Sequence, residues 1–115
     1  MIVNVAILWA TWGILRQSLA MALMGVPASV ELAKVKAFLG GLPGVAEVHD
    51  RHVWPLSTTE TALSCHLVMP AGHPGDGFLL KAAEELKSSY GIGHPTFQVE
   101  VDQGVACPFA PDEVV

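Results

Sequence analysis

Gly44-Val-Ala-Glu-Val-His-Asp-Arg-His-Val-Trp54 is a β-rich run that carries two histidines, an aspartate and a tryptophan. Pro55 breaks it, Ser57-Thr-Thr-Glu60 supplies a turn, and Thr61 to Met69 returns as the second strand of a hairpin. In that return strand Leu63, Cys65, Leu67 and Met69 alternate with Ala62, Ser64, His66 and Val68. The apolar set must meet a core, which turns His66 to the opposite face.

Downstream, Pro70 to Gly77 reads as a loop and Phe78 to Tyr90 as an amphipathic helix. Leu79, Ala82, Ala83 and Leu86 form its inner stripe, and Gly91 and Gly93 close it. Thr96 to Asp102 is a third strand, with Phe97, Val99 and Val101 alternating against Thr96, Gln98, Glu100 and Asp102. Upstream, Ser29 as N-cap and Glu31 in the first turn start a helix that runs to Leu39. Gly40-Gly41 and Pro43-Gly44 stop it. The order α-β-β-α-β predicts an α+β domain, with helices on one face of a small antiparallel three-stranded sheet. His66, Gln98 and Glu100 project from the free face. Gln103 to Val115, with two prolines, reads as a loose tail.

Imidazoles and carboxylates converging on one sheet face suit a borderline divalent cation such as zinc. His49 and His66 are the leading ligand pair, with Glu100 third and Gln98 a weak fourth. Asp50 neighbours His49 but faces the other way in a regular strand, so a supporting acceptor or structural role is expected. His52, three positions from His49, cannot share its face in a regular strand and reads as a hydrogen-bonded structural residue. Trp54 is expected in the core or an interface, and Cys65 buried and inert. His73, in a Gly-Pro loop, reads as unengaged, and His94, at a turn, as structural. There is no His-Glu-x-x-His helix, no phosphate-cradling glycine loop and no nucleophile beside a general base, so an enzyme is not expected.

The 115 residues suffice for one domain with a modest core. The net charge of −5 and the lack of any basic run count against nucleic acid as a partner. Cys65 and Cys107 do not make a disulfide scaffold. The high apolar fraction of 51% is concentrated at the N-terminus, where Arg16 is the single charge before Glu31. Met1 to Met24 reads as a helix ended by Pro27. Its apolar stretch from Ile2 to Leu15 is shorter than the roughly 20 residues of a membrane span, unless Ala20 to Val26 continues it. Asn4, Thr11, Ser18 and Gly25 draw a small, polar stripe suited to packing against other membrane helices. The alternative is a soluble helix that is buried or forms a dimer. A secretory signal is disfavoured because no positive charge precedes the apolar region.

Gly25-Val-Pro27, Leu42-Pro-Gly-Val45, Val48-His-Asp-Arg-His-Val-Trp54, Leu63-Ser-Cys-His-Leu67, Tyr90-Gly-Ile-Gly-His94 and Thr96-Phe-Gln-Val-Glu100 occur in that order. Together they resemble the end of a cation diffusion facilitator (cation efflux protein). The likeness covers residues 5 to 102, the last transmembrane helix and the cytoplasmic C-terminal domain. It implies a division into residues 1–26 as the apolar transmembrane helix, 27–102 as a cytoplasmic dimerisation domain of metallochaperone-like (ferredoxin-like) fold, and 103–115 as the tail. It also implies a proton-coupled, homodimeric exporter of zinc or a related ion such as cobalt, nickel, cadmium or manganese. Such an exporter sits in the cytoplasmic (inner) membrane with residues 27–115 on the cytoplasmic side. In the family this domain binds regulatory metal near the dimer interface and favours closure of the two cytoplasmic domains. His49 and His66 match its strand histidines, and Gln98 and Glu100 match its last-strand pair. The family's transport residues lie on helices two and five, outside this sequence, so the chain by itself is not expected to form the transport pathway. A full-length transporter is then a further partner, and a stand-alone soluble metal-sensing or chaperone homodimer is the alternative. Cys107-Pro-Phe-Ala110 stands where some members carry Cys-x-x-Cys; Ala110 in place of the second cysteine counts against a tail ligand.

Overall fold

The alternation of Leu63, Cys65, Leu67 and Met69 puts all four on one face of the central strand, where they are buried. A computed structural model describes residues 1–101 and 106–109. Along the chain come α1 (Ile2–Ala22), α2 (Leu32–Gly40), β1 (Glu47–Pro55), β2 (Thr61–Val68), α3 (Asp76–Tyr90) and β3 (His94–Glu100). Beyond α1 this is the expected α-β-β-α-β order around a three-stranded sheet.

The sheet has the order β1-β2-β3 and is mixed. β1 and β2 form the antiparallel hairpin, but β3 runs parallel to β2. The expectation of an all-antiparallel sheet is corrected here. α3 carries the chain back to the end of the sheet where β2 began, and only a crossover of that length allows a parallel neighbour. β3 also starts before Thr96, at His94, with Pro95 opposite Leu63. Proline is tolerated there because β3 is an edge strand. β3 ends at Glu100; the expected end at Asp102 lies outside the described residues.

The helices and the apolar sheet face enclose one core, in which Val35, Leu39, Leu63, Leu67, Leu86 and Ile92 are fully buried. α2 begins later than predicted. Glu31, not Ser29, is its N-cap residue, and without a side-chain capping bond. The Glu31 carboxylate instead pairs with Lys34 at 2.9 Å. α3 ends where Gly91 adopts φ 72, a left-handed conformation that glycine takes without penalty. The turn lets Ile92 N–H donate to the Leu86 carbonyl at 3.0 Å and returns Ile92 to the core.

α1 is different. None of its residues is buried, and Trp9 and Trp12 are 80% and 60% exposed. Its 21 residues are long and apolar enough to cross a membrane. Thr11 Oγ1 donates to the Ile7 carbonyl at 2.7 Å, so its hydroxyl is satisfied within the helix.

Leu67→Ala opens a cavity at the centre of β2 and should cost about 2–5 kcal/mol of stability. Urea unfolding followed by circular dichroism checks this; an unchanged midpoint would contradict the core assignment.

Candidate metal centre

The first strand cannot be regular. Val48 and Val53 are both buried in the core, although they are an odd number of residues apart. The register explains this: His49 pairs with His66 and His52 with Ser64, so Asp50 and Arg51 together stand opposite Cys65 alone. That is a β-bulge, and Asp50 takes it up with φ 48. Aspartate is one of the few non-glycine residues that visit this region readily.

The extra residue reverses the parity of the strand. His49 and His52 now share the face of His66, which corrects the expectation that they lie on opposite faces. Asp50 is also brought to that side rather than turned away. Its Oδ2 lies 3.3 Å from His66 Nε2 and its Oδ1 lies 2.9 Å from His52 Nε2.

Glu100 approaches from β3, on the other side of β2. Its carboxylate bridges the two strand histidines, with Oε2 3.1 Å from His49 Nε2 and Oε1 2.7 Å from His66 Nδ1. The histidine rings meet edge-on with centroids 5.4 Å apart. Cys107, from the segment after β3, completes the group: its Sγ lies 3.2 Å from Glu100 Oε1 and 3.8 Å from His66 Nδ1. One donor atom from each of His49, His66, Glu100 and Cys107 lies within 4.8 Å of all the others.

The face expected to be free is therefore partly covered. His49 is 2% exposed and His66 9%. Phe109 stands edge-on to His66 at 5.9 Å, so residues 106–109 of the expected loose tail lie against the site. The rest of that tail lies outside the described residues. Burial by itself would raise the Glu100 pKa. The hydrogen bond from Cys107, the charges of His49 and His66, and the contact with His66 more than offset it, so the carboxyl lies below its usual range. His49 Nδ1 makes no hydrogen bond and lies 3.7 Å from Glu47 Oε1.

The donor set fits a divalent cation. A tetrahedral zinc with bonds of about 2.0–2.3 Å holds its ligands roughly 3.3–3.8 Å apart. The contacts within the group run from 2.7 to 3.8 Å and the whole set lies within 4.8 Å; a bound cation would replace these hydrogen bonds. His66 shows one further feature of a ligating imidazole. One of its nitrogens faces the carboxylate of Asp50 while the other faces the group.

A family model described as "Cation efflux protein, cytoplasmic domain" matches residues 27–102. The chain belongs to the cation efflux family. It is 38% identical over 101 residues to a probable zinc transporter protein of Dictyostelium discoideum, covering 87% of this chain and 18% of that protein. It is 34% identical over 101 residues to the cation efflux system protein CzcD of an Alcaligenes species, covering 87% of this chain and 32% of that protein. The chain thus spans less than a third of each of these relatives. The solved metal-bound C-terminal domain of the CzcD transporter from Cupriavidus metallidurans superposes with a TM-score of 0.56 at 30% identity. It covers 63% of this chain and all of that domain. Both relatives are named as transporters or efflux proteins.

His49, His66 and Glu100 are brought together, and Asp50 and His52 join them through the bulge. Gln98 is exposed and donates its amide to Glu100 Oε1 at 3.2 Å. Trp54 is half-buried and lines a cleft with His52, Ser64 and Leu23–Val26. His73 Nδ1 accepts from the Gly75 N–H, and His94 Nε2 pairs with Glu60 at 3.2 Å. Cys65 is buried on the core face, where loss of solvent pushes its thiol up to about 12. Cys107 is the residue that sequence reasoning undervalued. The missing second cysteine argued against it, while the signal in its favour is its distance from Glu100, short enough for a turn back onto the sheet.

The bulge predicts unequal effects at position 50. Asp50→Gly removes the carboxylate but keeps the left-handed backbone. Asp50→Val should be less stable than Asp50→Gly by about 1–2 kcal/mol, because a β-branched residue is strained there. Paired urea melts check this; equal midpoints would show that the left-handed residue does not matter.

Proposed function

We propose that this chain is the C-terminal regulatory and dimerisation region of a divalent-cation efflux transporter, responding to cytoplasmic zinc. The carrying observation is the convergence of His49, His66 and Glu100 donor atoms on one sheet face. The probable zinc transporter among its relatives supports the choice of ion, and the metal-bound CzcD domain supports cation binding. In this reading residues 27–102 form the cytoplasmic domain and residues 1–26 the last membrane helix. α1 supports this, since a helix that buries nothing against its own chain needs lipid or other helices around it.

The chain's own residues prepare the site. His49 and His66 present ring nitrogens, Glu100 presents both carboxylate oxygens, and Asp50 holds the His66 ring by its remaining nitrogen. Gln98 supports Glu100 and is a weak ligand at most; His52 and Trp54 support the surrounding sheet. A bound cation would supply positive charge between two protomers that each carry −5, offsetting their repulsion and favouring the closed homodimer. Dimer closure is then a population shift set by the difference in cation affinity between open and closed forms.

Calorimetric zinc titration of the chain in detergent should show micromolar or tighter binding that disappears in the His49→Ala/His66→Ala variant. Undiminished binding in that variant would remove the site. Ligating imidazole must be neutral and ordinarily protonates near pH about 6.5, so affinity should fall at least about tenfold between pH 7.5 and 5.5. Residues 27–115 made without α1 should remain soluble without detergent, whereas the whole chain should partition into liposomes. A whole chain that stays in the aqueous phase would instead support a soluble sensor.

A further inference from the structure

The β-bulge does more than gather donors around one point. Asp50 stands between two histidines, with Oδ1 2.9 Å from His52 Nε2 and Oδ2 3.3 Å from His66 Nε2. His66 belongs to the candidate centre, whereas His52 lines a different place. Together with Trp54 and Ser64 it walls a cleft shared with residues 23–26, the link from α1 to the domain. We propose that Asp50 is a positioning residue that couples the two: through its carboxylate, occupancy of the centre sets the His52 ring and with it the cleft at the end of α1. The inference rests on His49, His66 and Glu100 holding a cation.

The two contacts of Asp50 are unequal, and that inequality supplies a movable element. At 2.9 Å the His52 ring donates a hydrogen bond, whereas 3.3 Å to His66 is longer than the usual N–H···O distance. On its other side His66 Nδ1 lies 2.7 Å from Glu100 Oε1, a distance that places the ring proton on Nδ1. Nε2 of a neutral ring then has only a lone pair to turn toward Asp50. Ligation through Nδ1 reverses this. The Nδ1 proton leaves to solvent and Nε2 acquires one from solvent, so no net proton is gained or lost. Nε2–H can now donate to Oδ2, the arrangement that ligating histidines generally make with a carboxylate. Closing that contact turns a rigid carboxylate, so Oδ1 shifts against His52.

His52 has room to answer. Its side chain is 35% exposed and the cleft has a volume of about 620 Å³, so the ring can turn without repacking the core. The link beside it is held in an uncommon conformation. Met24 has φ 52, a region that non-glycine residues seldom occupy, and Gly25 N–H donates to the Ala20 carbonyl at 2.8 Å to end the helix. Val26, the next residue, packs against the core. A turn tied to the helix on one side and to the core on the other converts a small change in the cleft wall into a change in how α1 leaves the domain. The coupling is reciprocal: whatever fills the cleft must in turn alter the cation affinity of the centre.

The test uses the whole chain in detergent with Trp9→Phe and Trp12→Phe, so that Trp54 is the single emitting indole. Zinc is added while Trp54 emission is followed, and calorimetry records binding on the same samples. The emission maximum is expected to shift, and to saturate at the zinc concentration at which binding saturates. Two variants of this parent break the link at different points. Asp50→Asn tolerates the left-handed backbone, but its NH2 group cannot accept from the second ring; His52→Phe keeps ring volume and removes the donor. Both should still bind zinc, Asp50→Asn roughly tenfold more weakly, yet show no shift at saturating zinc. His52→Gln, whose amide can donate to Asp50, should keep the shift. Zinc binding without a shift in the parent, or a shift that survives in Asp50→Asn or His52→Phe, would overturn the coupling and leave the centre standing. Loss of the shift in His52→Gln would overturn the hydrogen bond as its route. No zinc binding in the parent would overturn both the coupling and the centre. Circular dichroism matching that of the parent confirms that each variant is folded.

Discussion

One extra residue in β1 sets the arrangement of the site. A strand has a side-chain period of two, so an inserted residue exchanges the faces of everything beyond it. Because Asp50 and Arg51 together oppose Cys65, Val48 and Val53 both reach the core, and His49 and His52 both reach the polar face. Without the bulge, one of the valines would leave the core or one of the histidines would enter it. The left-handed conformation of Asp50 costs on the order of 1–2 kcal/mol. It is offset locally, because the same turn brings the Asp50 carboxylate to His52 and His66.

The polar face that results is unusual for a small sheet. Two histidines are buried there at 2% and 9% exposure, and the carboxylates of Asp50 and Glu100 run between the rings. Buried polar groups are tolerated only when partnered, and nearly all of these are. Glu100 illustrates the balance: partial loss of water disfavours its charge, yet the Cys107 thiol and the two histidines hold it ionised. A carboxylate kept charged, beside imidazoles on a covered surface, is a donor set of the kind that divalent cations take. The same residues without that cover would be ordinary surface groups, largely screened by solvent.

The family assignment and the centre support each other but rest on different observations. The match over residues 27–102 is a statement about the whole domain. The centre is a statement about four side chains, and one of them, Cys107, lies beyond the matched range. α1 adds a third, independent feature, an apolar helix of 21 residues of which none is buried.

Much of this was legible in the amino-acid order. The alternation in Thr61–Met69, the helical stripe of α3 and the glycine stops established an α+β domain with a three-stranded sheet, because hydrophobic periodicity is a local property of sequence. His66 and Glu100 could be placed on one face by the same period. Three features could not be read locally. The direction of β3 depends on where α3 returns the chain. The shared face of His49, Asp50 and His52 depends on a bulge, which Val48 and Val53 signal only once both are known to be in the core. The approach of Cys107 depends on the path of a tail that has no periodicity to follow. Sequence determined that His66 and Glu100 face away from the core, since burial of the alternating apolar residues dictates that; tertiary structure decided which other groups join that face and which of them meet, since both are matters of register and chain return.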